Sequence, residues 1–203
     1  MAYTALMRHG ILGAFTTITL LLAGVLSSHV VAASEQIWNL LREGGQVVAI
    51  RHAQTTPGYG DPEGFRVDDC STQRNLNDEG RNQAQRMGAE FRTQRVPIAD
   101  VLSSPWCRCL ETARLAFGNA ESWSALSNLY GRPQNEARQA RAMRERISGF
   151  TGPGNLVLVS HGGTIRAATG TYLSMGEFVV LTPRGNGKFD VIGTLTVPPT
   201  TTP

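Results

Sequence analysis

Two histidines in this chain each follow an uninterrupted apolar run: His52 comes after Val47-Val48-Ala49-Ile50-Arg51, and His161 after Leu156-Val157-Leu158-Val159-Ser160. Arg51 directly precedes the first histidine, and Arg108 follows Ser103-Ser104-Pro105-Trp106-Cys107. A guanidinium grips an oxyanion at two points, and an imidazole with a free ring nitrogen can attack an electrophilic centre. Brought together, two of each suit phosphoryl transfer. A phosphate monoester carries about two negative charges near neutral pH. Two arginine forks and one imidazole can hold its oxygens while the other imidazole attacks phosphorus, and the phosphohistidine formed divides one hard hydrolysis into two easier displacements. Such chemistry needs no metal and no cofactor.

The elements that must position these groups read as an alternation of strands and helices. Ser34 can cap a short helix with Ile37, Leu40 and Leu41 on its apolar face, stopped by Gly44-Gly45. The runs 47–50 and 156–159 have the pattern of strands buried on both faces. A third strand is expected over 100–103. Ala84, Met87, Gly88 and Phe91 mark an amphipathic helix over 78–91, and Pro105 opens a helix continuing through Trp106 to Phe117. Residues 55–70, rich in Pro, Gly and Asp, form a long surface loop, and 121–131 reads as irregular. A helix opened by Pro133 carries Ala137, Ala140, Met143 and Ile147 on one face. Residues 177–181 and 188–195, around Gly185-Asn186-Gly187, predict a terminal antiparallel hairpin. The fold class expected is therefore α/β, an α/β/α sandwich with a largely parallel central sheet. Ligands of such sheets lie outside the carboxyl ends of the strands, where both histidines stand. Arg108 joins them there from the first turn of a helix.

Composition bounds the alternatives. The chain has 203 residues, 41% hydrophobic and 17% charged, which fits one globular domain. Lys188 is the only lysine among 19 basic residues, against 16 acidic ones, and the arginines form no block. That distribution argues against a nucleic-acid partner. Residues 1–33 read as a secretory signal, with Arg8, an uncharged and mostly apolar run from Ile11 to Leu26, and small residues at Val31-Ala32-Ala33. The run is short for a membrane span, so no stable span is expected once the signal is removed. A folded domain over 34–197, a disordered tail over 198–203 and a periplasmic or secreted location follow as expectations. Export would allow a disulfide to persist. Cys107 and Cys109 fall on different sides of one helix, so at most one of them pairs with Cys70. Cys70 with Cys107 is the favoured pairing, with Cys109 a buried thiol, though an odd count leaves the choice open. A cysteine-dependent phosphatase is excluded: the sixth residue after each cysteine is Leu76, Ala113 or Leu115, never Arg.

Several of these segments together resemble a known family. Ile50-Arg51-His52-Ala53 is similar to the Arg-His-Gly signature of the histidine phosphatase, or phosphoglycerate mutase-like, superfamily, with Ala53 where Gly is usual. Leu76, Gly80-Arg81 and Gln83-Ala84 resemble its helix motif. Ser103 to Arg108, continuing to Glu111-Thr112-Ala113, resembles its second signature, and Val159-Ser160-His161-Gly162-Gly163 its third. The resemblance implies His52 as nucleophile and Arg51, Arg108 and His161 as the phosphate pocket, with Arg74 as a further candidate contact. Arg51 and Arg108 should lower the His52 pKa.

The departures bear on mechanism. Where mutase-like members carry a Glu acid in a Leu-x-Glu motif, Leu126-Ser127-Asn128 offers an amide, which cannot serve as a proton donor. Gly162 stands where the acid phosphatase branch has Asp after the second histidine. Asp61, Glu63 and Glu121 are the candidate replacements, with Asp61 the leading one. The overall pattern resembles the exported small members related to lipopolysaccharide core heptose phosphatases. It implies a phosphomonoester hydrolase acting on a phosphorylated small molecule, an envelope glycan or a phosphoprotein. Tyr59, Phe65, Trp106 and Trp123 are candidates for stacking on a sugar or aryl group. The alternative is a non-catalytic phosphate-binding protein on the same scaffold.

Overall fold

In the computed structural model, which describes residues 34–197, the two apolar runs are the paired central strands of a mixed six-stranded sheet. The strands are β1 (Val47–Arg51), β2 (Ile98–Ser103), β3 (Glu121–Ser122), β4 (Asn155–Ser160), β5 (Glu177–Pro183) and β6 (Phe189–Thr196), in the order β3-β2-β4-β1-β5-β6. β1 runs parallel to β4, β4 to β2 and β2 to β3, while β5 and β6 are antiparallel. The register sets Arg51 opposite Ser160, so His52 and His161 leave the sheet side by side. The backbone N–H of His52 donates to the Ser160 carbonyl at 2.9 Å.

Strand alternation divides the core between two layers. Val48, Ile50, Val157, Val159, Phe178 and Val180 face one side, where they meet Ile37, Trp38 and Leu41 of a helix over 34–43 (α1), Met87 and Phe91 of α2 (Asp78–Thr93) and Ala113 of α3 (Cys107–Phe117). Val47, Ala49, Leu156, Leu158, Val179 and Leu181 face the other side. There they pack on Met143 and Ile147 of α4 (Glu136–Ser148) and Ile165 and Ala168 of α5 (Gly162–Thr169). Each aliphatic side chain so buried contributes about 1.5–3 kcal/mol. No helix among the described residues is long and apolar enough to cross a membrane. The expected signal over 1–33 and tail over 198–203 lie outside the described residues.

Three sequence expectations are corrected. Residues 121–131 are not wholly irregular, because Glu121–Ser122 forms a short parallel edge strand on β2. Ala137 is exposed, and α4 turns Gln139, Met143 and Ile147 inward instead. Gln139 belongs on that face because its amide donates to the Ala125 and Ser127 carbonyls at 3.1 and 2.8 Å, fixing the segment that leads to Asn128. Ser34 is itself helical rather than a cap preceding the helix.

Two glycines of α2 allow close approach of backbones. A Cβ at Gly80 would overlap the Gln54 carbonyl just after His52, and one at Gly88 would overlap the Ala116 carbonyl of α3. The rest of this helix motif also fastens the site. Gln83 accepts from the Gln54 N–H at 3.0 Å and donates to the Met175 carbonyl at 3.1 Å, while Arg81 Nε donates to Glu111 of α3 at 2.7 Å. Gly88→Ala, remote from the histidines, should therefore destabilise the fold by about 1–3 kcal/mol. An unchanged denaturant midpoint in this variant would contradict the packing described.

Candidate active site

His52 is buried, and its Nδ1 lies 2.9 Å from the Ala53 carbonyl oxygen. A carbonyl only accepts, so Nδ1 carries the proton and Nε2 keeps its lone pair. The peptide that fixes this tautomer is itself fixed: the Ala53 N–H donates to Thr112 Oγ1, whose hydroxyl donates to the Arg108 carbonyl. Burial, followed by the charges of Arg108, Arg51 and Arg74, holds the His52 pKa down at about 3, against the pull of the Ala53 bond. The sequence argument had credited the arginines, but desolvation is the larger cause. His52 is therefore a free base at neutral pH and in mild acid.

His161 caps the start of α5 with its ring centroid 5.4 Å from that of His52. Ser104 Oγ lies 2.8 Å from its Nε2, and the ring edge meets Trp106. Burial first, then His52 and the arginines, hold its pKa well below the usual range. Cys109 Sγ lies 3.5 Å from His161 Nε2, and burial pushes its thiol up to about 12, so it stays protonated.

Three guanidinium groups converge on the histidines. Arg51, the last residue of β1, donates from Nη1 to the Leu173 carbonyl at 2.8 Å, and Gly162 leaves room for it: a Cβ there would press on its guanidinium at 3.3–3.4 Å. Arg108 sits in the first turn of α3, and Arg74 comes from the long loop, donating from Nη1 to the Gly58 carbonyl. The Nε atoms of all three arginines are buried and have no hydrogen-bond acceptor. Buried donors are seldom left unpaired, and three around one place describe a seat for an oxyanion. Arg74, a candidate contact in the sequence, lines the cleft.

The loop carrying Arg74 is held to α3. Cys70 and Cys107 form a disulfide, and the Cys107 N–H donates to Gln73 Oε1 at 3.0 Å. A bridge between Thr55 and Leu76 closes the base of the loop. Asp61 completes it in an ion pair with Arg108 at 2.6 Å, both side chains being 2% exposed or less. Burial alone would raise the Asp61 pKa. Hydrogen bonding and charge from Arg108, with donors from the Arg74 backbone and the Trp106 indole, outweigh this and hold it below the ordinary carboxylate range. Asp61 is therefore an ionised acceptor in this geometry. Glu121 stands on the exposed edge strand, and Glu63 lines a neighbouring groove rather than the histidine cleft. Asn128 does line that cleft.

The cleft has a volume of about 420 Å³, and among the described residues its lining contains no Asp or Glu side chain. Sequence reasoning missed Tyr130, Tyr172 and Arg166, which join Tyr59 at its walls. These tyrosines are 60%, 69% and, for Tyr59, 94% exposed, a solvent-facing aromatic rim whose members lie too far apart in sequence to be grouped by spacing. Phe65 and Trp106 instead stack on each other beneath the guanidinium of Arg132, and Trp123 packs against the core. Among the described residues no group of three or more His, Cys, Asp or Glu is placed to share a metal ion.

Residues 47–129 match the sequence model of the histidine phosphatase superfamily (branch 1). The fold agrees. The protein histidine phosphatase SixA in complex with tungstate superposes with a TM-score of 0.52 at 16% identity, over 74% of this chain and 96% of that one. Segment 47–129 is thus similar to the histidine phosphatase superfamily, and the fold is shared with a protein histidine phosphatase. Two further solved structures share the fold. Mycobacterial glucosyl-3-phosphoglycerate phosphatase in complex with VO3 gives a TM-score of 0.53 at 16% identity, over 73% and 97% of the two chains. Phosphoserine phosphatase from Entamoeba histolytica in complex with 3-phosphoglyceric acid gives 0.53 at 14%, over 73% and 95%. No curated protein matches the chain. The matched segment holds Arg51, His52, Asp61, Arg74 and Arg108, while His161 lies beyond it.

The buried neutral histidines predict a pH dependence of folding. Their folded pKa values lie below the unfolded one, so on acidification the unfolded chain takes up protons first, and stability is lost as pH falls from about 6.5 toward 3. The slope should approach about 1.4 kcal/mol per pH unit for each histidine. Denaturant unfolding in phosphate-free buffer should show His52→Gln with a shallower slope than the parent. Equal slopes would mean that His52 is not held neutral.

Proposed function

We propose that the protein is a phosphomonoester hydrolase in which His52 is the nucleophile. The observation that carries this reading is the position of a buried, neutral imidazole with its Nε2 lone pair unengaged, beside three guanidinium Nε–H groups without acceptors. In the first step His52 Nε2 forms a bond to phosphorus as the ester P–O bond breaks. The proton stays on Nδ1, donated to the Ala53 carbonyl, so the positive charge of the phosphorylated ring is stabilised by that acceptor. Arg51, Arg74, Arg108 and His161 take up the charge of the transferring group. Water then forms a new P–O bond as the N–P bond breaks, returning the neutral imidazole and releasing phosphate. Among the described residues no carboxylic acid lines the cleft, so the departing oxygen takes its proton from solvent. Aryl phosphates, whose leaving groups need no acid, should therefore be better substrates than alkyl phosphates.

A ring-bearing leaving group such as an envelope sugar suits the rim of Tyr59, Tyr130 and Tyr172, since sugars and aryl groups both stack on aromatic faces. Likeness to the lipopolysaccharide core heptose phosphatases, the apolar leader over 11–26 and the Cys70–Cys107 disulfide support an exported enzyme acting on such a substrate. The alternative, a non-catalytic phosphate-binding protein, would need no unengaged nucleophile beside the oxyanion seat.

Phosphate release from p-nitrophenyl phosphate by the folded protein, in the presence of chelator, tests this reading. Turnover should persist with chelator and fall at least ~1,000-fold in His52→Ala, and rapid quenching should trap label on the parent protein but not on the variant. Inorganic phosphate binding without turnover would favour the non-catalytic alternative.

A further inference from the structure

The pairing of Asp61 with Arg108 leaves a carboxylate at the base of a phosphate site, where by charge alone it should weaken anion binding. We propose that Asp61 is a positioning residue that holds the Arg108 guanidinium edge-on, so that its Nε–H side is presented to the transferring phosphoryl group. The proposal rests on the hydrolase reading above and adds to it the device by which the anion seat is built.

Arg108 donates from Nη1 to Asp61 Oδ1 at 2.6 Å and from Nη2 to Oδ2 at 3.3 Å, a two-point fork. Nη1 also donates to the Arg74 carbonyl at 3.2 Å. The far edge of the guanidinium is thus committed, and Nε remains buried and without an acceptor. Asp61 is held in turn by two donors, the Arg74 backbone N–H to Oδ1 at 3.1 Å and Trp106 Nε1 to Oδ2 at 3.0 Å. The same carboxylate therefore fixes the segment bearing Arg74, whose Nε is likewise unengaged. Gly60 and Pro62 shape the turn, and Gly60, with φ at +69°, also leaves space for the Tyr130 ring. With Asp61 in place, Arg108 and Arg74 are organised before an anion arrives. An arginine that must order itself on binding loses part of its interaction to side-chain entropy. Asp61 offsets one cationic charge of the cleft, and fixed direction compensates for that loss.

A proton donor and a positioning residue make opposite predictions for Asp61→Asn, which keeps the shape and removes the charge. If Asp61 positions Arg108, kcat/KM should fall by the same factor, ~10- to 100-fold, for p-nitrophenyl phosphate and for glycerol phosphate, and orthovanadate affinity should fall in parallel. The basic limb of the pH profile should not move. A loss confined to glycerol phosphate, with vanadate binding unchanged and the basic limb abolished, would show a proton donor and overturn the proposal. So would unchanged kinetics on both substrates. Trp106→Phe, which removes the indole donor to Asp61 while keeping an aromatic ring beside His161 and Phe65, should shift both substrates and vanadate in the same direction by a smaller factor. It serves if Asp61→Asn does not fold, and no change in that variant counts against the proposal. Absence of turnover in the parent protein would refute the hydrolase reading instead, and vanadate affinity would still report on Asp61.

Discussion

Three guanidinium groups at the bottom of one cleft, with Nε–H groups that meet no acceptor, are the constraint around which this structure is arranged. Charged donors of this kind repel one another and are costly to bury. Each is kept in place by acceptors on its outer atoms: Leu173 for Arg51, Gly58 for Arg74, and Asp61 with the Arg74 carbonyl for Arg108. The inner edges are left for a ligand oxyanion. The same positive charge, acting with burial, keeps both histidines neutral, so in the proposed reaction the groups that hold the anion also maintain the free base of His52.

The scaffold supplies this from three directions. Parallel pairing of β1 with β4 delivers His52, Arg51 and His161 from adjacent strand ends, and β2 leads into the turn that starts α3 and carries Arg108. The long loop supplies Asp61 and Arg74 and is tied back by the Cys70–Cys107 disulfide, by the bond from the Cys107 N–H to Gln73, and by the fork from Arg108. Helix α2 contributes no group to the cleft lining, yet Gly80 and Gln83 clamp the segment after His52. A motif outside the cleft lining thus bears on the position of His52.

The strands and both histidines were legible in the sequence because each apolar run ends in a chemically distinctive residue, and strands buried on both faces have few other readings. β3 was not, since Glu121 and Ser122 pair on an exposed edge and carry no apolar pattern. Gln139 was misassigned in favour of Ala137 because periodicity scores an amide as outward, whereas its value here lies in two carbonyls from a distant segment. Asp61 was found as a candidate, but its partner stands 47 positions away and spacing says nothing about that contact. A carboxylate read alone suggests an acid, and only its guanidinium partner shows that it is ionised. Tyr130 and Tyr172 escaped for a similar reason: loop aromatics become a rim only when the fold gathers them.

The structure of the protein with orthovanadate bound is the most direct test of the oxyanion seat. The account predicts vanadium bonded to His52 Nε2, its oxygens accepting from Nε of Arg51, Arg74 and Arg108, and Asp61 still forked on Arg108. Vanadate bound away from His52, or bound only after Arg108 has left Asp61 to face the ligand with its Nη atoms, would contradict it.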